Sequence, residues 1–206
     1  IKIGKNTSKR KILVIPGLND EMIRSTRYPL YQRYRFRDLP ERQIIIASRK
    51  EGLKKDITTE EMAEHYKQII DQEGKCNVLT VSMGGMIAQH LAKRTEKIEK
   101  LVLGLTGTRL GEEGRKNIQR WIELLQRNKE RKFFSRAVKD TFEGPKKLFY
   151  GTGSSVLWRK FSRPPTEDLI ACSKACLEHD TTPDTLDIDT DTMVIGAQKD
   201  SFFPRE

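Results

Sequence analysis

Five short apolar runs punctuate the chain: Lys11–Ile15 (KILVI), Gln43–Ala47 (QIIIA), Cys76–Val81 (CNVLTV), Leu101–Leu105 (LVLGL) and Thr192–Gly196 (TMVIG). Each is rich in β-branched residues or Leu, and none alternates with polar residues. Such runs predict strands buried on both faces of a parallel sheet. Helical patterns lie between them. Thr58-Thr59-Glu60-Glu61 reads as a capping box, with Ile57 and Met62 at the positions of a hydrophobic staple. Met62, Tyr66, Ile69 and Ile70 then mark one helical stripe, which Gly74 ends. Met83–Arg94 predicts a second helix, beginning directly after a strand. Strand and helix at these intervals predict right-handed βαβ units with helices on both faces of the sheet, an α/β fold.

Between Thr106 and Asp191 the rhythm breaks, over a length far beyond a connection within a sheet. Ile118, Trp121, Ile122 and Leu125 form a stripe, and Phe134, Ala137, Val138 and Thr141 form another. Pro164-Pro165-Thr166 opens a third, through Leu169, Cys172, Ser173 and Cys176. The chain thus divides into core residues 1–108, a helical insertion at 109–175 with a loose stretch around 151–155, and core residues 176–206.

Composition narrows the class. A length of 206 residues corresponds to about 1.4 domains, a core with an insertion. No apolar run approaches the length of a membrane span, and no signal-peptide pattern opens the sequence. Three cysteines are too few and of the wrong parity for a disulfide framework, which points to a reducing, cytoplasmic compartment. The net charge of +10 is uneven. Residues 109–163 hold 15 Lys and Arg against 6 Asp and Glu, while 164–206 hold 3 against 10. A basic surface can meet nucleic acid, and Tyr31–Arg37 interleaves aromatics with arginines. A surface segment explains that strip better, so no nucleic-acid partner is expected. The basic insertion reads as a solvated face, or more sharply as a preference for anionic acyl substrates. Cys172 and Cys176 lie one helical turn apart, but without neighbouring histidines they read as a half-buried helix face rather than metal ligands.

The strongest chemical signal is Thr80-Val81-Ser82-Met83-Gly84-Gly85, at the junction of a strand and a helix. A serine on such a turn projects its hydroxyl above the sheet edge, where helix N–H groups favour developing negative charge. The segment approximates G-x-S-x-G with Thr80 in place of the first Gly. Pro16-Gly17-Leu18 follows the first apolar run, where acyl transfer needs a second backbone donor. Leu18 and Met83 are the matching N–H positions for an oxyanion. Asp200 lies just past the last run, where an acid orienting a histidine belongs.

Together these residues resemble the α/β-hydrolase superfamily, over nearly the whole chain. KILVIPGLND is similar to its first core strand and oxyanion loop, QIIIASRKEG to the next strand and turn, and VLTVSMGGMIAQHLAKR to its nucleophile elbow and helix. LVLGLTGTR resembles the following strand, GRKNIQRWIELL through ACLEHD a helical cap, and LDIDTDTMVIGAQKDSFFP the acid strand and loop. In QIIIASRKEG, Ser48-Arg49 stand where many members have Asp-Arg. The closest likeness is to small bacterial hydrolases of lipase/esterase type. The resemblance implies a mostly parallel sheet with helices on both faces and a cap inserted between the core's sixth and seventh strands. It implies hydrolysis of a carboxylic ester or similar acyl bond by a Ser82 nucleophile, with no metal or organic cofactor. A Ser at position 82 speaks against dehalogenase or epoxide hydrolase chemistry, which runs from an Asp. Trp121, Phe133, Phe134 and Trp158 are candidates for lining an apolar pocket, and core packing explains them equally well.

The family's general base is a histidine after the acid, and the three histidines here all precede Asp200. His65 reads as a solvated helix residue. His90 lies eight residues after Ser82 on one helix, about 12 Å along its axis, out of reach of the hydroxyl. His179 follows the third inserted helix. The base is therefore expected on a segment beyond Glu206, an alternative being an inactive homologue. A thioesterase, acyltransferase or peptidase fits the same elbow, as does a non-catalytic binding protein on the same fold. The oligomeric state is not legible.

Overall fold

Lys2–Ile3 (β1), Lys11–Ile15 (β2), Gln43–Ile46 (β3), Cys76–Val81 (β4), Ile98–Gly104 (β5) and Thr192–Ile195 (β6) pair into one sheet, ordered β1-β3-β2-β4-β5-β6. The computed structural model describes residues 1–4, 10–18, 33–34, 36–39, 41–141, 164–182 and 188–204. From β3 to β6 every pairing is parallel, and β1 joins β3 antiparallel. The sheet is therefore the predicted α/β type. The strand β1 is an addition, because two residues carry no readable periodicity. The chain steps from β2 outward to β3 and then back across β2 to β4. That reversal places a switch point above the carboxyl ends of β2 and β4, where open α/β sheets hold their ligands.

Thr59–Glu73 (α1) and Met83–Ala92 (α2) follow β3 and β4. The capping box at the start of α1 forms in both directions, Glu61 N–H to Thr58 Oγ1 and Thr58 N–H to Glu61 Oε2, each 3.0 Å. Gly74, at φ 80°, ends the helix in a conformation that costs other residues strain. Ile15, Val78, Tyr66, Ile87 and Leu101 are all fully buried and belong to one apolar cluster.

Among the described residues, three more helices lie between β5 and β6: Glu112–Gln126 (α3), Glu130–Thr141 (α4) and Thr166–Glu178 (α5). Ile118, Trp121, Ile122 and Leu125 of α3 are buried, as the spacing predicts, and join the same cluster. Leu169, Cys172, Ser173 and Cys176 are the buried face of α5, which runs on to Glu178, past the boundary expected at 175. The loose stretch expected around 151–155 lies outside the described residues.

One strand departs from its sequence pattern. The TMVI run predicts burial on both faces, yet Met193, Val194 and Ile195 are 61%, 67% and 49% exposed. The strand is the outermost of the described sheet, pairing only with β5. Its apolar side chains have no described element packed over them, which is the condition that exposes a buried-type strand.

Candidate active site

The turn after β4 carries the strain. Ser82 sits at φ 54°, ψ −125°, a conformation that costs a non-glycine residue of order 1–3 kcal/mol. Its N–H donates to Gly104 O at 2.9 Å, and its own carbonyl accepts from Gly85 at 2.8 Å to start α2. The hydroxyl makes no capping bond. Thr80, which replaces the first motif glycine, is fully buried and donates its hydroxyl to Val102 O at 2.8 Å. Across the ladder, a Cβ on Gly104 would stand 2.9 Å from the Thr80 main-chain carbonyl, so β5 runs close against β4 beside the turn.

Two glycines let α2 approach the sheet. A Cβ on Gly84 would collide with the Ile15 carbonyl and stand 2.8 Å from Pro16 O. On Gly85 it would collide with the Thr106 side chain. Backbone carbonyls cannot swing aside as side chains do. Gly84→Ala is therefore expected to cost about 3 kcal/mol or more, measured as a lower urea midpoint with an unchanged slope.

Ser82 opens into a cavity of about 320 Å³ above the switch point. Leu18, Met83, Asp200 and Trp121 share its wall with Ser82. The remaining wall is mostly apolar and includes Met86, Leu105, Leu110, Ile118, Phe202 and Phe203. Phe133 and Phe134 are not in that wall. Phe133 is fully buried and meets Trp121 edge-on, ring centroids 5.9 Å apart, and Phe134 meets Phe133 at 4.8 Å. They back the cavity's tryptophan rather than face the cavity. Trp158 lies outside the described residues.

Several wall residues escape sequence reading. Leu105 has φ 48°, so two strained non-glycine residues face one cavity. Phe202 and Phe203 are placed by Asp200 itself, whose Oδ1 accepts both of their N–H groups at 2.9 and 3.0 Å. The seat for this loop is made of glycines. Cβ atoms on Gly111 and Gly114 would stand 2.6 Å from Pro204 Cδ and 2.8 Å from Phe202 Cα. The spacing Gly107, Gly111, Gly114 was a usable signal for a close approach. Cys176 also lines the cavity, but burial pushes its thiol up to about 12, so it is no nucleophile at neutral pH.

Arg49 is the other residue of note. It is 7% exposed, and its guanidinium donates to three successive carbonyls of the loop after β2: Gly17 O at 2.9 Å, Leu18 O at 2.9 Å and Pro16 O at 3.4 Å. The Ser48-Arg49 pair stands out in the sequence, but no local pattern there encodes these bonds.

None of the three histidines lines the Ser82 cavity. His65 is half-buried rather than solvated, with Nε2 3.3 Å from Ser48 O. His90 and His179 meet edge-on, 5.3 Å apart, within a buried polar chain. Thr181 Oγ1 donates to Gln89 Oε1 at 2.6 Å, and Gln89 Nε2 donates to Gly107 O at 3.0 Å. Thr181 Oγ1 is thereby left to accept from His179 Nε2 at 3.3 Å, so His179 Nδ1 accepts from Thr59 Oγ1 at 2.9 Å. Thr59 in turn accepts from His90 Nε2 at 3.3 Å. The bond from Thr59 to Nδ1 requires a neutral His179, because a protonated Nδ1 cannot accept.

Burial, and then the neighbouring His90, hold the His179 pKa down to about 4. A histidine depressed from about 6.5 contributes its full stability above pH 6.5 and loses it as pH falls toward 4, because only the unfolded chain takes the proton in that window. Acidification over that range is expected to cost about 3 kcal/mol. Chemical denaturation at stepped pH checks this, and His179→Gln should flatten the dependence.

No protein-family model and no curated protein matches the chain. Solved structures do. An esterase from Thermogutta terrifontis, with malate bound, superposes with TM-score 0.72 at 19% identity, over 99% of this chain and 76% of its own. MGS-M2, an alpha/beta hydrolase enzyme from a Medee basin deep-sea metagenome library, gives 0.77 at 14% identity, over 99% and 77%. The enol-lactonase of Burkholderia xenovorans LB400 gives 0.75 at 17% identity, over 95% and 76%. With its parallel sheet, its strained serine turn and these likenesses, the chain has the fold of the α/β-hydrolase superfamily.

Proposed function

We propose that this protein is a serine hydrolase that cleaves a carboxylic ester or related acyl bond, with helices α3–α5 as a cap over the cavity. The observation that carries the reading is the strained Ser82 turn sharing one cavity with Asp200. Ser82 Oγ attacks the acyl carbon and gives its proton to a histidine. The carbonyl oxygen, now negative, lies between the N–H groups of Leu18 and Met83, each donor being worth roughly 2.7–4 kcal/mol at the transition state. The alcohol leaves with that proton, and water then repeats the sequence on the acyl-serine. Asp200 keeps Oδ2 for the histidine while Oδ1 holds its own loop.

The histidine is none of the three in this sequence. We place it on a segment beyond Glu206 that packs against β6, and the exposed Met193, Val194 and Ile195 supply a surface for it. A volume of about 320 Å³ walled mainly by apolar side chains suits a small apolar acyl group. The enzyme is read as cytoplasmic, and no described helix is long and apolar enough to cross a membrane.

A non-catalytic ligand-binding protein is the second reading, favoured by the absence of any histidine from the described cavity wall. A panel of p-nitrophenyl esters, thioesters and amides, given to the full-length protein, separates the readings. The hydrolase reading expects turnover of short acyl esters above buffer. Faster thioester or amide cleavage would reassign the bond, and binding without turnover would favour the second reading.

A further inference from the structure

The peptide between Gly17 and Leu18 is trans, so Gly17 C=O and Leu18 N–H point in opposite directions across one plane. Arg49 holds that carbonyl at 2.9 Å and the next one, of Leu18, at 2.9 Å. A planar fork bound to successive carbonyls fixes the plane, and with it the direction of the Leu18 N–H. Arg49 stands on the segment after β3, and three residues later that segment is itself held. Gly52 N–H and Leu53 N–H donate to Asp168 Oδ2 and Oδ1 at 3.0 and 2.8 Å. Gly52 turns both amides toward one carboxylate at φ 71°, with no heavy atom crowding its Cβ position. Asp168 is 2% exposed, in the first turn of α5. The same helix lends Cys176 to the cavity wall.

We propose that Asp168 and Arg49 are positioning residues of one relay, through which helix α5 sets the direction of the Leu18 N–H toward the oxyanion. The relay rests on the reading of Leu18 as an oxyanion donor. Neither residue lines the cavity, so neither touches substrate. Their substitution should weaken the transition state and leave ground-state binding alone. A lost oxyanion donor costs about 10²–10³ in kcat. Arg49→Lys, which keeps the charge and loses the fork, should approach about 10². Asp168→Asn, which puts an amide N–H against one of the two donors, should cost about tenfold, below that ceiling. In both, KM and the affinity for the product acid should hold within about threefold, while a trifluoromethyl ketone that forms a tetrahedral adduct loses affinity in step with kcat.

The test is a double-mutant cycle of Arg49→Lys and Asp168→Asn in the full-length protein, with kcat, KM and adduct affinity read for each. A serial relay predicts that the double variant is no worse than Arg49→Lys alone. Multiplying losses, or an unchanged kcat in Asp168→Asn, would overturn it. Should Asp168→Asn fail to fold, Gly52→Ala strains the same turn without a packing clash and should give the same fall in kcat at constant KM; an unchanged kcat there overturns the relay equally. Wild-type protein without esterase activity would instead fail the underlying reading, which keeps the two failures apart.

Discussion

Ser82→Ala is expected to abolish ester turnover, lowering kcat by about 10⁶, the scale seen when a triad nucleophile is removed. Stability should not move with it. Alanine keeps the Cβ that already occupies the strained φ 54° conformation, and the Ser82 hydroxyl makes no capping bond whose loss would be felt. Ser82→Gly sharpens the contrast. It removes both the nucleophile and the strain of the positive-φ conformation, about 1–3 kcal/mol. It should therefore be equally inactive and more stable. The measurement is turnover beside thermal midpoint for both variants. An Ala variant that keeps wild-type activity would remove Ser82 from the chemistry.

The second large effect falls on the acid. Asp200→Asn should lower kcat by about 10⁴ with little change in KM, because in the proposed triad the histidine loses the partner that fixes its tautomer and steadies its charge. The asparagine carbonyl can still accept from the Phe202 and Phe203 amides, so the loop stays on its glycine seat. Asp200→Ala differs in kind. Two backbone amides lose their acceptor, at about 1–3 kcal/mol each where they are buried. Phe202 and Phe203 then shift in the cavity wall, so KM should rise as kcat falls. Comparing kcat and KM for the two variants separates the acid's chemical role from its structural one.

What was readable in the sequence was local. The strand runs, the capping box at Thr58, the helical stripes of α3 and α5 and the Ser82 turn all depend on neighbours a few residues away. They lie where the spacing predicts. Thr80 departs from the motif, and the acceptor that satisfies its buried hydroxyl, Val102 O, belongs to another strand. The grip of Arg49 on residues 16–18 and the Asp168 contact with residues 52 and 53 join distant parts of the chain, and no periodicity encodes them. The same holds for the chain of bonds linking Thr59, His90, His179 and Thr181. The aromatic wall is legible only in part, for a similar reason. Trp121 lines the cavity as expected and Phe133 and Phe134 do not, while Phe202 and Phe203 reach it through a turn made by Asp200. The strand β6 had the composition of a buried strand and lies exposed, since burial depends on what packs outside it.

The reading turns on whether Ser82 is an activated nucleophile. Incubating the full-length protein with a fluorophosphonate probe and mapping the adduct by peptide mass spectrometry tests this directly. The probe's phosphorus is attacked by serine oxygen with loss of fluoride, and the reaction needs both an activating base and an oxyanion site. The predicted result is a single adduct on Ser82, lost in Ser82→Ala and slowed in Arg49→Lys. An unlabelled Ser82 in folded protein, or an adduct confined to another residue, would contradict it.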